Sequence, residues 1–243
     1  MSNGWVRAGA GFVWGLALFL AVAFGLKWVM GSTATTSPVL SQVVLKGLLI
    51  VVAVAVWALM GRPLSAMGFR RAATTGRGSL PWYALAIVAM MLGSVAMVLL
   101  ELRHPLTAQM TFLQIVLSVW LLSSVSEEVY VRGLVQSWMA DGTELSGPRP
   151  LSEPSVVMSA LLFAAMHVPL MWSPIGFRGG LAIVLATLGV GIACAVLRAR
   201  TGSLWPAILA HVLGNVGGVP GGILGVILYR VIHGHLPEML TSG

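Results

Sequence analysis

With 243 residues, 58% of them hydrophobic and 9% charged, the chain cannot cover itself with a water-facing surface, for which soluble domains use about 25% charged residues. A net charge of +7 does not point to nucleic acid, because the basic residues stand singly at the ends of apolar runs, as topology-setting charges do. The one cysteine, Cys194, lies inside an apolar run, which excludes a disulfide framework and a cysteine-based metal motif.

A membrane-crossing helix needs about 20 mostly apolar residues. In chain order the spans expected are 10–30, 39–60, 80–100, 110–140, 156–172, 179–197, 204–219 and 222–232. The fold class is therefore all-α, a polytopic transmembrane bundle of about eight spans, or seven, around a polar cavity, the last two spans being short and interrupted by Gly217-Gly218-Val219-Pro220-Gly221-Gly222. The first run reaches residue 30 without a small-residue cleavage pattern, so no cleavable signal peptide is expected. Residues 1–243 read as one membrane domain, with motif-free helices over 1–105 and a chemical core over 106–243. Segment 61–79 carries Arg62, Arg70, Arg71 and Arg77 and no acidic residue, which places it in the cytoplasm. Eight spans would bring the N-terminus with Arg7, the C-terminus and the Arg198/Arg200 turn to that same side. The other face keeps Arg103 and Arg178, with Lys27 and Lys46 near its helix ends.

The fourth segment runs straight into Ser126-Glu127-Glu128-Val129-Tyr130-Val131-Arg132. A charge at membrane depth costs about 3 kcal/mol on insertion scales, so it is rare and usually functional. Glu128 and Arg132, at i and i+4, can pair on one helix face, and a structural salt bridge is the preferred reading of them. Glu127 points about 100° away and has no partner at helical spacing in its own segment, a setting that suits a general base. Phe163 and His167 share a face of the fifth helix, and His211 and Asn215 share one on the seventh. A lone membrane histidine is as readily a packing residue. Two histidines, an asparagine and a glutamate pair on three helices each need polar partners away from lipid, and one hydrated cavity supplies them all. The set suffices for hydrolysis: a carboxylate and an imidazole hold and deprotonate water, while a second imidazole and an amide donate to an oxyanion. The other candidates read as bland. His233 and His235 belong to a solvated tail, His104 to a loop, and Ser123, Ser124, Ser126 and Cys194 to packing. Trp14, Trp28, Trp82, Trp172 and Trp205 suit interface anchors, and Trp138 an amphipathic extension. The glycine-rich stretch 214–225 is a candidate gate.

Glu127-Glu128-x-x-x-Arg132, Phe163-x-x-x-His167 and His211-x-x-x-Asn215, in that order, resemble the CPBP family, the type II CAAX-prenyl endopeptidases and their bacterial relatives. The resemblance covers about residues 123–219. It implies that Glu127 activates water with help from His167, that His211 and Asn215 form the oxyanion site, and that Glu128, Arg132 and Phe163 support them. It also implies a glutamate intramembrane protease that needs no metal and no cofactor, which agrees with the missing His-Glu-x-x-His pattern. The expected substrate is a membrane-associated protein or lipopeptide, lipidated or C-terminally anchored. The partners are that substrate and the bilayer, not nucleic acid, and the location is the inner membrane of a bacterial or archaeal cell. Nothing in the sequence identifies a prenyl-binding groove, and no oligomeric state is assigned. Two alternatives stand beside this reading: a zinc protease using Glu127, His167 and His211, and a non-catalytic immunity or scaffold protein. A transporter is disfavoured because the chain shows no paired repeat halves.

Overall fold

The computed structural model describes residues 3–31, 37–72, 77–102, 110–140 and 150–241. His104 and Arg103 lie outside them. Each apolar run folds as helix, and no strand occurs among the described residues. The helices are α1 (Asn3–Gly31), α2 (Pro38–Leu59), α3 (Leu80–Leu99), α4 (Phe112–Met139), α5 (Pro154–Ala165), α6 (Gly176–Thr201), α7 (Trp205–His233) and the short α8 (Glu238–Thr241). A 3-10 turn, Val168–Trp172, prolongs α5. Counting α5 with that turn, 7 segments among the described residues are long and apolar enough to cross a membrane, and the protein is an integral multi-pass membrane protein. Local chemistry sets the boundaries. Ser37 Oγ accepts the Leu40 N–H at 3.1 Å to cap α2, Thr111 and Gln114 cap α4 reciprocally, and prolines occupy the first turns of α2, α3, α5 and α7. Gly202 ends α6 at φ 65°, a left-handed conformation natural to glycine.

Spans 204–219 and 222–232 are one helix, so the glycine-rich stretch is not a break. Gly214, Gly217, Gly221 and Gly225 recur on one face of α7 and lie against α3. A Cβ on Gly217 would come 3.0 Å from Ile87 O, and one on Gly221 only 2.5 Å from Met91 O. Small residues let membrane helices approach backbone to backbone. Pro220 sits within α7 on its exposed face, as does Val216, whose carbonyl it frees.

Contacts at the helix ends fix which ends lie together. Arg7 Nε, near the start of α1, donates to Trp138 O at the end of α4 (3.0 Å), whereas Tyr229, near the end of α7, donates to Glu101 just beyond α3. The start of α1 and the end of α7 therefore lie at opposite ends of the bundle.

At the centre stands α4, whose residues from Val129 to Gln136 are all buried. Stretches of π-helix, Ile115–Ser123 and Val129–Gln136, flank the Ser124–Glu128 turn, a winding often found at functional sites. Polar side chains tie α4 outward: Tyr130 to Gly15 O of α1, Gln136 Nε2 to Ala195 O of α6 at 3.1 Å, and Ser137 Oγ to Arg198 Nη2 at 2.9 Å. The loop after α2 closes this end. Trp57 Nε1 donates to Pro63 O (3.0 Å), Arg198 Nη2 to Ala66 O (3.2 Å) and Leu204 N to Gly68 O (2.9 Å), with Met67 fully buried beneath. Trp28 and Trp172 stand exposed at helix ends as anchors would, whereas Trp14 turns inward, edge-on to Trp138 at 5.4 Å.

The α3–α7 seam yields a paired test. Gly221→Ala should lower stability by about 1–3 kcal/mol, the usual cost of overpacking, read as a lower Tm in detergent. Gly222→Ala, whose Cβ would meet nothing within 4 Å, should leave Tm unchanged or slightly raised.

Candidate active site

Adjacent residues on a helix diverge by about 100°, and that divergence sends the two glutamates to different neighbours. Glu128 turns into the bundle. Its Oε1 accepts from Arg132 Nη1 at 3.1 Å and sits 2.9 Å from His211 Nδ1. Glu128 and Arg132 are both fully buried. Arg132 Nη2 donates to Gly191 O of α6 at 2.7 Å, and the guanidinium lies over the Phe163 ring at 4.7 Å. The expected pair therefore forms, as part of a larger network.

Glu127 turns toward α2 and the cavity. Its Oε1 pairs with Lys46 Nζ, and its Oε2 lies 3.7 Å from His211 Nε2. Glu127 finds its partner on another helix, not in its own segment. Residues 1–105 are accordingly not silent at the site. Lys46 had been placed near a helix end, but it lies eight residues into α2, about 12 Å deep at 1.5 Å per residue. The signal was available: a lysine inside an apolar span with no acid in its own helix must find a carboxylate elsewhere.

The structure brings the other motif residues to the same place. Phe163 presents its ring edge-on to both His167 and His211, at centroid distances of 5.2 Å each. His167 follows the end of α5 and holds Nδ1 2.9 Å from Phe163 O, so with the proton on Nδ1 its Nε2 is an acceptor. Asn215 lies one turn beyond His211, but its amide donates to Val119 O (3.2 Å) and Ser124 Oγ (3.1 Å) of α4. In this conformation it fastens α7 to α4, and Ser124, read from sequence as packing, is its partner. Cys194 is buried, with Sγ 3.3 Å from Ala207 O. Glu127, His167, His211 and Asn215 line one cavity of about 610 Å³. Among the described residues, no group of three or more His, Cys, Asp or Glu side chains is arranged to hold a metal ion.

This arrangement, a buried carboxylate–imidazole centre in a helical membrane bundle, defines a class of membrane protein with a hydrolytic donor set. Residues 108–217 match the family model for Rce1-like proteins, described as type II CAAX prenyl endopeptidase Rce1-like. The matched segment holds all three motifs and leaves α1–α3 outside. It bears out the resemblance and supports a membrane protease of the CAAX type. No curated protein and no solved structure matches the chain.

Arg132→Met strands Glu128 without its counter-charge and should cost about 3–5 kcal/mol, seen as a lower Tm or lost expression. Adding Glu128→Gln should recover much of that loss.

Proposed function

We propose that the chain is an intramembrane endopeptidase that hydrolyses a peptide bond of a membrane-associated protein with a water activated by Glu127. What carries the reading is Glu127 itself, a buried carboxylate that faces a cavity beside two imidazoles. A water held against Glu127 and His167 gives its proton to Glu127 as its oxygen attacks the carbonyl carbon. The carbonyl π pair moves onto oxygen. His211, oriented at Nδ1 by Glu128, donates to that oxyanion from Nε2 when both ring nitrogens carry protons. The intermediate then collapses, the C–N bond breaks, and Glu127 returns the proton to the departing amine.

Lys46 holds the other oxygen of Glu127 and so fixes the direction of the base. Asn215, committed to α4, acts as a positioning residue that spaces His211 from it. The matched family is named for CAAX prenyl substrates. The substrate proposed here is broader: a lipidated or C-terminally anchored membrane protein or lipopeptide, cleaved at the inner membrane of a bacterial or archaeal cell.

Against a co-expressed library of membrane-anchored substrates, Glu127→Gln should lose on the order of 10²–10⁴-fold in cleavage, while cleavage by the wild type continues in a strong chelator. Wild-type turnover by Glu127→Gln in a stable protein would sink the mechanism. Lys46→Met should lower turnover by about tenfold, equivalent to ~1.4 kcal/mol, with Lys46→Arg retaining most of it.

A further inference from the structure

We infer that the cavity is filled from the face opposite the basic loops, the extracytoplasmic face, and serves peptide bonds presented there. The side of access stands on the geometry of the cavity and the distribution of arginine; that a peptide bond enters rests on the hydrolysis proposed above.

The helices contribute to the cavity from one half of the bundle. Gln42 and Lys46 lie in the first half of α2, Met97 near the end of α3, Phe112 at the start of α4, Ile183 early in α6 and Gly222 in the far half of α7. Because α2, α4 and α6 run opposite to α3 and α7, these positions all fall toward the end where Tyr229 meets Glu101. Exposure falls along the same direction: Phe112 is 71% exposed at the rim, and Glu127 is 5% and His211 4% exposed at the floor. From Phe112 to Glu127 the descent is about 22 Å at 1.5 Å per residue.

Beyond the floor the way is shut. Val129 to Gln136 are buried without a gap, Arg132, Gln136 and Ser137 are bound to α6, and the loop carrying Met67 is hydrogen-bonded across the end. That closed end carries Arg62, Arg70 and Arg71 in one loop and Arg200 at the end of α6. The excess of arginine marks it as cytoplasmic. Substrate reaches Glu127 from the other side.

The test uses the full chain with Gln42→Cys, Met97→Cys or Arg71→Cys, in right-side-out and inside-out vesicles, with a membrane-impermeant maleimide as probe. The wild type, whose one cysteine is buried, is the blank. Gln42→Cys and Met97→Cys should label in right-side-out vesicles and lose that labelling in inside-out ones, with Arg71→Cys showing the reverse. Labelling of the cavity positions from the side that labels Arg71→Cys would overturn the inference, and so would no labelling of them from either side. Either cavity variant, if it elutes as a folded species, decides the matter alone. The expected labelling together with a library that is never cut would overturn the hydrolysis and leave the side of access standing.

Discussion

An ion buried away from water must meet its opposite with good geometry, because its desolvation is repaid in no other way. The Glu128–Arg132 pair is where this protein meets that demand, and much of the bundle follows from it. One carboxylate does not satisfy a guanidinium, so Arg132 also donates to Gly191 O and lies over Phe163. Reaching Gly191 O requires α6 to come close, and closeness requires glycine there: a Cβ on Gly191 would sit 3.1 Å from Ala160 O of α5. With α5 so placed, Phe163 holds its ring against both histidines. The order of the centre descends from one pair of charges.

The two glutamates are neighbours in sequence and meet again at His211, whose two ring nitrogens face one carboxylate each. A single imidazole thus senses both a carboxylate sealed with arginine and one open to the cavity. Lys46 completes the balance from α2. Two acids, two basic side chains and the imidazoles of His167 and His211 sit together inside the bundle, each carboxylate meeting a basic partner, which makes the site tolerable at membrane depth.

The sequence showed most of this wherever the signal was local. Helix type and position followed from runs of apolar residues, and the Glu128–Arg132 pair from i,i+4 spacing. Clustering of Glu127, His167 and His211 followed from the cost of polar groups in lipid. What stayed hidden depended on partners distant in sequence. Lys46 and Glu127 are 81 residues apart, and spacing within one helix cannot report such a pair. Asn215 looked free to donate because Val119 O and Ser124 Oγ, its acceptors, lie on another helix. The glycine-proline run at 217–222 reads locally as a breaker. It stays helical because α3 fits against it, a tertiary effect that overrides local preference.

The α3–α7 seam has a mechanical meaning. Where backbone rests on backbone there are no side-chain rotamers to rearrange, so the two helices resist relative tilt and behave as a single plate. His211 and Asn215 ride on that plate. In the mechanism proposed, the compliance needed to admit a chain into the cavity falls to the opposite wall, where α1 and α2 meet α4 through long side chains such as Phe19, Tyr130 and Lys46. The imidazole is mounted on the stiff side of the site and the ammonium on the soft side.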